Sequence, residues 1–553
     1  MIHRHQHIAD LSVLLRQMGV ERIVISPGSR NAPLIASFYA EYGKNCSSIV
    51  DERSAGYVAL GMARNLQKPV ALISTSGTAV LNYSPAIAEA YYQRIPLVII
   101  TADRPQKWID QQDNQTLRQK DVFRNFILQS LSLPEYFQAE KELDNTYTEI
   151  ISTVKLSMEL QGPVHINVPL DEPLYQNLPP FSIEPQEINL PSKSGVEIPA
   201  ELIQHWKEAE KILIIHGQDV ADAKLQRSIE DLFKDPRVVM IAENISNLDA
   251  EEIIDRPELM LWRTMAEELE TPDLLIYAGG QIVSKKLKSL LRNRKIKNTW
   301  RIGIDIFEMD TFSQQNRFAK IPDHKVYNIL SQFCKNETVV NFKNSWKKAF
   351  ADALEATGKA LKNLSFSDPL VIHTVFQQLP ENAIVELGNS SVIRLAQLLP
   401  KPGKIRWNSN RGVSGIDGCL SAAVGTALTT DRPVVVILGD LSFVYDSNAL
   451  WNRQLPSNLH IIVLNNAGGG LFGLIPGPDE HPAFREFFVT QHPVKISKLA
   501  EAFDLAYFYA ENQQEHTKSI GDFFKRGKRP KLMEIKTDQI ENKTAFCSLI
   551  NRK

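Results

Sequence analysis

The chain is punctuated by short apolar runs that stop abruptly. In its first third they are "RIVIS", "PVALISTSG", "IPLVIITAD" and "GPVHINVPL". The middle has "KILIIHGQ", "RVVMIAEN", "DLLIYAGG" and "WRIGIDI", and the last third has "NAIVELGNS", "RPVVVILGDLSF", "HIIVLNNAGGG" and "PKLMEIKTD". Each is rich in β-branched residues and is cut off by Gly, Pro, Ser, Asn or Asp. A run without polar alternation is buried on both faces, as a strand is in a parallel sheet covered by helices. Between the runs, "SAGYVALGMARNL" and "AVLNYSPAIAEAYYQR" read as helices, with Pro85 starting or kinking the second. A chain of 553 residues is too long for one core. The pattern predicts an α/β protein of three units with mainly parallel sheets, over residues 1–180, 195–340 and 365–553. The Pro-rich, polar stretch "QNLPPFSIEPQEINLPSKSG" reads as a linker between the first two units. The charged helical pattern "NSWKKAFADALEATGKALKNL" bridges the second and third.

Charge and cysteine usage exclude several classes. Lys plus Arg number 62 and Asp plus Glu 64, a net charge of −2, which argues against a nucleic-acid coat or a membrane-surface protein. No stretch approaches the roughly 18 apolar residues of a membrane span. The N-terminal "MIHRHQHIADLSVLLRQMGV" lacks the apolar segment and cleavage site of a secretion signal. Cys46, Cys334, Cys419 and Cys547 lie far apart with no CxxC pair, so neither a disulfide framework nor a zinc site is expected, and a reducing cytoplasm fits. His3, His5 and His7 have the alternation of metal ligands on an extended strand, but a solvated N-terminal segment is the expectation.

In doubly wound sheets ligands bind beyond the carboxyl ends of the strands. The residues after each apolar run therefore carry the chemistry. "VISPGSRNAPL" ends a first-unit strand in a tight turn and presents Ser29, Arg30 and Asn31, and "IITADRP" does the same with Asp103 and Arg104. In the third unit, "ILGDLSF" places Asp440 directly after a strand, and 26 positions later "VLNNAGGG" places Asn466 after another. A carboxylate and an amide oxygen at two strand ends suit a hard divalent cation. The run Gly468–Gly469–Gly470 allows backbone to approach a phosphate and can offer a carbonyl ligand. Taken singly, Asp440 reads equally as the cap of a helix starting near Ser442, and the glycine run as a flexible turn.

A Gly-Asp followed by Asn-Asn some 25 residues on resembles the cofactor-anchoring motif of thiamine-diphosphate-dependent enzymes. Many members have Gly-Asp-Gly where this chain has Gly-Asp-Leu, which leaves Asp440 in place but narrows the branch. "VDERSAGYVALGMAR" resembles the glutamate-bearing segment of that family's pyrimidine-binding domain, and "GPVHINVPL" the strand closing it. "SPGSRNAPL", "TADRP", "DNQTLRQ", "GNSSVIRL", "NRGVSGIDG", "GDLSFVYDSNAL" and "GGGLFGLIP" together are similar to the branch that serves menaquinone biosynthesis. The resemblance runs from about residue 20 to about 480 and is weakest in the middle unit.

The resemblance implies a thiamine-diphosphate-binding fold, with Mg²⁺, or alternatively Mn²⁺, holding the diphosphate. Glu52 is implied as the carboxyl that bonds the aminopyrimidine and makes the cofactor its own base; such a group belongs in an apolar pocket that raises its pKa. Taken alone, Glu52 is also an acid at a helix N-terminus. Ile416 is implied as the side chain that keeps the two cofactor rings folded together. Gly439, Asp440, Leu441, Ser442, Asn466, Gly468 and Gly469 would surround the diphosphate and metal, with Asp440, Asn466 and Gly468 as metal ligands. Leu471, Phe472 and Ile475 would wall the site. The implied reaction decarboxylates 2-oxoglutarate and adds the remaining four-carbon unit to isochorismate by 1,4-addition. The two substrates carry four carboxylates, which the planar guanidinium fork binds bidentately. Arg30, Arg104, Arg394 and Arg411 are therefore expected to converge on one cleft, with Ser29, Asn114, Gln115 and Ser390 as neutral partners. In the middle unit Lys285 can reach the same carboxylates, although a solvated helix face explains Lys285 and Lys286 equally well. No paired histidines for proton delivery appear in the matched loops. The resemblance also implies a homo-oligomer, dimer or tetramer, whose active sites take Glu52 from one subunit and Asp440 from another.

Three other readings compete. An acetolactate-synthase-like carboligase would want Gly-Asp-Gly and no arginine cluster. A non-catalytic protein on the same scaffold would have lost Glu52 or Asp440. A nicotinamide dehydrogenase would need GxGxxG after a first-unit strand with an acid ~20 residues on, and none is present.

Overall fold

The computed structural model describes residues 3–184, 197–304, 308–335, 341–453, 455–474 and 477–550. Three six-stranded sheets, every strand pair parallel, form its frame. The first contains β1 (Ile23–Ile25), β2 (Cys46–Ser48), β3 (Val70–Ser74), β4 (Leu97–Asp103), β5 (Ser130–Ser132) and β6 (Val164–Pro169), in the order β2-β1-β3-β4-β6-β5. The second contains β7 (Ile212–His216), β8 (Val238–Ala242), β9 (Ile253–Ile254), β10 (Leu274–Ala278), β11 (Asn298–Ile302) and β12 (Arg317–Ala319), in the order β12-β11-β10-β7-β8-β9. The third contains β13 (Ile384–Leu387), β14 (Arg406–Asn408), β15 (Val434–Gly439), β16 (Leu459–Asn465), β17 (Ala506–Ala510) and β18 (Lys531–Lys536), in the order β14-β13-β15-β16-β18-β17. The first and third sheets thus repeat one topology strand for strand, while the middle sheet has another. Each of the two matching sheets reverses direction between its first and third strands, so ligand-binding crevices are expected beyond β1 and β3, and beyond β13 and β15.

The apolar runs sit where their composition requires: β3, β4, β7, β8, β10 and β13 are buried along their whole length. Pro85 does not kink one helix; it starts another. A short helix, Thr78–Asn82, ends and a second, Ser84–Gln93, begins with the proline in its first turn, where a missing N–H costs nothing. The bridging helix spans Asn341–Leu361. The described part of the linker, Tyr175–Glu184, has no regular structure, and Leu178 and Ile183 pack on the first core; the rest lies outside the described residues. Among the described residues no helix is long and apolar enough to cross a membrane.

The N-terminal histidines correct the sequence reading. His5 is 3% and His7 is 1% exposed, and the helix Gln6–Gln17 follows directly. The apolar residues that continue this helix pull its start into the first core, where the His7 ring packs on Phe137 at 4.9 Å. Burial, first of all, holds the His7 imidazole down at about 3 and lowers His5.

The first and third units share a core through two helices, Glu52–Leu66 and Cys419–Ala427. Their crossing is close because it is built on glycine. A Cβ on Gly61 would stand 2.0 Å from the Ala422 carbonyl oxygen, and one on Gly425 would stand 2.0 Å from that of Val58. A buried ion pair locks the same contact: Arg64 reaches Glu386 on β13 at 2.5 Å, and Glu386 also accepts from Asn408 at 2.9 Å and Thr426 at 2.7 Å. Gly61→Ala should therefore cost ~2 kcal/mol, within the overpacking range, and lower the thermal unfolding midpoint. Gly358→Ala, whose Cβ meets nothing within 4 Å, should be neutral or stabilising. Calorimetry of the two variants checks this, and equal losses would refute the glycine-limited crossing.

Candidate active site

Strand register explains how Asp440 and Asn466 become neighbours. Gly439 on β15 pairs with Leu464 on β16, so the residues that follow leave the sheet side by side. Asp440 opens the helix Asp440–Tyr445 and is 1% exposed. Its Oδ1 accepts from the Leu441 N–H at 2.8 Å, and its Oδ2 from the Gly468 N–H at 2.8 Å. Burial pushes this carboxyl up to about 6. Asn466 is oriented from behind: its amide donates to Asp368 Oδ2 at 2.9 Å, and Asp368 accepts from Thr537 at 2.6 Å. Asn466 Oδ1 is left buried without a hydrogen-bond partner. A buried carbonyl oxygen that lacks a donor, beside a carboxylate destabilised by burial, is what a divalent cation remedies. The donor set therefore fits a hard cation.

The glycine run serves backbone packing as well. Gly468 has φ 131°, where L side chains are strained, and its Cβ would stand 2.3 Å from the Val489 carbonyl oxygen. The Gly469 N–H donates to that oxygen at 2.6 Å. Ser442 donates to the carbonyl of Ile416 at 2.8 Å, fixing that loop against the helix Asp440–Tyr445. The Phe472 ring packs on Phe488 at 5.5 Å. Ile475 lies outside the described residues.

In the first unit Glu52 begins the helix Glu52–Leu66, behind the cap Asp51, which accepts from the Ser54 N–H at 2.9 Å. Glu52 is half-buried, and burial raises its carboxyl above the usual range. Tyr83, fully buried with its hydroxyl on the Ile73 carbonyl at 2.9 Å, stands near enough for the Glu52 charge to disfavour phenolate. Gly28 and Thr75 face each other at the ends of β1 and β3, and a Cβ on Gly28 would meet the Thr75 side chain at 2.4 Å. Thr75 Oγ1 is buried without a partner.

The arginines fall into two groups within one chain. Arg30 is 5% exposed, donates to the Leu170 carbonyl at 2.9 Å and pairs with Glu172 at 3.1 Å. Burial lowers its guanidinium, and the nearby Arg104 lowers it further. Arg104 pairs with Asp113 at 3.2 Å and donates to the Asn114 carbonyl at 3.1 Å. Ser29, Asn114 and Gln115 beside them are exposed, and the Gln115 carbonyl accepts from Ser76 at 2.9 Å. In the third unit Ser390 has φ 73° and precedes the helix Ser391–Ala396, which carries Arg394. An L-residue in that region stores strain of the kind found at functional sites. Arg394 lines a cavity of about 240 Å³ with Leu471, Lys285, Trp262 and Glu258. Arg411 donates to Asn389 Oδ1 at 2.9 Å, and burial lowers both the Arg394 and Arg411 guanidiniums. Lys285, exposed, starts the helix Lys285–Arg292 behind its cap Ser284. Among the described residues no hydrogen bond or ion pair joins the Arg30–Arg104 group to the Arg394–Arg411 group.

Sequence reasoning missed four residues here. Asp368 orients Asn466 and carries no local sign of that role. His492 brings Nε2 to 3.4 Å from Asp440 Oδ2, out of a loop with no motif. Lys288 is half-buried on the Lys285–Arg292 helix, lowered by burial, and it feels the charges of Glu243 and Arg411. Glu243 is buried, is pushed up to about 7 by burial, and accepts from the N–H groups of Val283 and Ser284 at 2.6 and 2.7 Å. The strand-end rule, applied to "RVVMIAEN", would have found Glu243.

Comparisons with known proteins bear on this geometry. Residues 8–122 match the family "Thiamine pyrophosphate enzyme, N-terminal TPP binding domain", and residues 387–535 match "Thiamine pyrophosphate enzyme, C-terminal TPP binding domain". The chain is 42% identical to a 2-succinyl-5-enolpyruvyl-6-hydroxy-3-cyclohexene-1-carboxylate synthase of Desulfotalea psychrophila, over 91% of this chain and 93% of that one. It is 37% identical to one of Flavobacterium johnsoniae, over 95% and 94%. Its fold matches the crystal structure of benzoylformate decarboxylase from Polynucleobacter necessarius with a TM-score of 0.70, at 15% identity, over 96% of this chain and 98% of that one.

The Asp368–Asn466 bond yields a prediction. Asp368→Ala should weaken Mg²⁺ binding roughly 10–100-fold, as loss of a ligand-orienting partner does. Calorimetric titration of Mg²⁺ with thiamine diphosphate present measures it. An unchanged affinity would mean that Asn466 needs no orienting partner.

Proposed function

The chain belongs to the 2-succinyl-5-enolpyruvyl-6-hydroxy-3-cyclohexene-1-carboxylate synthase family of thiamine-pyrophosphate enzymes, and on that premise we propose that it decarboxylates 2-oxoglutarate and adds the product unit to isochorismate in menaquinone biosynthesis. The observation that carries this reading is the pairing of Asp440 with an Asn466 whose Oδ1 is buried and unpartnered. These two, with the Gly468 carbonyl, would hold Mg²⁺ against the cofactor's diphosphate, flanked by Gly439, Leu441, Ser442 and Gly469. When bound, the thiazolium of thiamine diphosphate supplies the electron sink for decarboxylation.

The protein's own groups do the rest. Glu52, whose carboxyl burial raises above the usual range, would hydrogen-bond a ring nitrogen of the aminopyrimidine. Ile416, whose carbonyl is tied to Ser442, would press the two rings together. Arg394 and Arg411, half-buried and poorly hydrated, would clamp substrate carboxylates with Ser390, and Lys285 would reach in from the middle unit. Arg30 and Arg104, with Ser29, Asn114 and Gln115, would bind further carboxylates from the opposite wall. Leu471 and Phe472 would exclude water from the site. We infer a homo-oligomer, as membership of the family implies, with Glu52 of one copy and Asp440 of the other on one cofactor.

The direct test mixes the protein with thiamine diphosphate, Mg²⁺, 2-oxoglutarate and isochorismate and seeks the adduct by mass. Its absence, with CO₂ released and another product formed, would replace this reading by a different carboligation or decarboxylation. Glu52→Gln should retain cofactor affinity yet lose 2-oxoglutarate decarboxylation. Mixing inactive Glu52→Gln with inactive Asp440→Ala should restore roughly a quarter of wild-type activity, because random reassortment of a two-fold dimer leaves one intact site in each hybrid. No recovery after verified subunit exchange would place each cofactor within a single chain.

A further inference from the structure

We propose that Glu89, a first-unit residue more than 300 positions from the loop it touches, is the positioning residue that holds the loop bearing Arg411 and Ile416. The inference rests on the function proposed above. Glu89 lies on the helix Ser84–Gln93 and is 1% exposed. Its carboxylate accepts three consecutive backbone N–H groups of the third unit: Gly412 at 2.5 Å, Val413 at 2.7 Å and Ser414 at 3.2 Å. Three successive amides around one anion form a backbone nest, here filled by the protein's own side chain.

The loop's shape depends on that anchor. Ser414 has φ 70°, an orientation an L-residue holds only when its surroundings impose it. Gly412 is needed because a Cβ there would stand 2.5 Å from the Glu89 carbonyl oxygen. Asn389 ties both shoulders, donating to the carbonyls of Asn410 and Gly415 at 2.7 Å each, and its Oδ1 accepts from Arg411 at 2.9 Å. Gln281 of the middle unit donates to the Gly412 carbonyl at 2.8 Å. Arg411 stands immediately before the clamped amides, and Ile416 two residues after them. Glu89 is also among the charges that favour the cationic form of the buried Arg411. Without the carboxylate, three successive amides, that of the buried Gly412 among them, lose their acceptor and the loop loses its reason to hold a left-handed residue.

The test uses full-length holoenzyme carrying Glu89→Ala, and Glu89→Gln in case the first fails to fold. Hydrogen exchange on peptides spanning 410–416 should quicken about tenfold or more for Gly412–Ser414, as loss of a local anchor does. This readout needs no substrate, so it decides the clamp even if the proposed reaction proves wrong. In the assay, KM for the substrate gripped by Arg411 should rise about tenfold with a smaller change in kcat, as misplacement of a binding group does. Glu89→Gln should recover part of the loss, since its amide oxygen still accepts. The double variant Arg411→Ala with Glu89→Gln should lose less kcat/KM than the product of the two single losses, because part of what Glu89 does passes through Arg411. Unchanged exchange at 412–414 would overturn the clamp. A loosened loop with unchanged KM, or multiplicative losses in the double variant, would overturn the positioning role.

Discussion

The close crossing of the helices Glu52–Leu66 and Cys419–Ala427 is the constraint on which the rest of the arrangement depends. Two glycines, Gly61 and Gly425, bring each helix onto a carbonyl of the other. The Arg64–Glu386 pair closes the far end of the same contact. Removing either partner would leave an unpaired buried charge, which costs several kcal/mol. The first helix begins with Glu52 and the second follows the Ile416 loop directly, so one contact fixes the elements that carry both candidate residues. Two units of identical strand order joined by such a crossing offer equivalent crevices in different chemistries: a carboxyl with arginines in one, and an Asp–Asn pair with arginines in the other.

Buried carboxylates, three of the four at strand or helix ends, do the finer placing. Asp440 receives the Gly468 N–H, Asp368 turns the Asn466 amide, Glu243 receives the start of the Lys285–Arg292 helix, and Glu89 receives three amides of the Arg411 loop. Each is paid in desolvation, and each is satisfied by N–H or O–H donors from another element. The result is a set of loops whose positions are coupled through hydrogen bonds rather than through packing alone.

How much was legible follows from what makes a local signal. All twelve apolar runs are strands, because burial on both faces writes itself into composition. The strands not anticipated, β2, β5, β9, β12, β14 and β17, are the edges of the three sheets. They are short, and most mix polar residues with apolar ones, as in "CSS", "SLS" and "RWN", because one side lacks a neighbour. The histidine segment misled because His5 and His7 are polar by type, yet His5 caps and His7 lies within a helix whose apolar face must be buried. Asp440 and Asn466 were readable because each directly follows a strand. Asp368, His492 and Glu89 were not, since their partners are at least 50 residues away and no spacing rule connects them.

By itself the sequence determined the class of fold, the strand ends that carry chemistry, and the residue types offered there, because hydrophobic periodicity and turn residues act over a few positions. The tertiary structure alone decided which of those residues meet. It paired Asp440 with Asn466 through strand register, oriented Asn466 through Asp368, and clamped the Arg411 loop through Glu89. These are contacts between segments distant in sequence, and only the packing of whole units selects them.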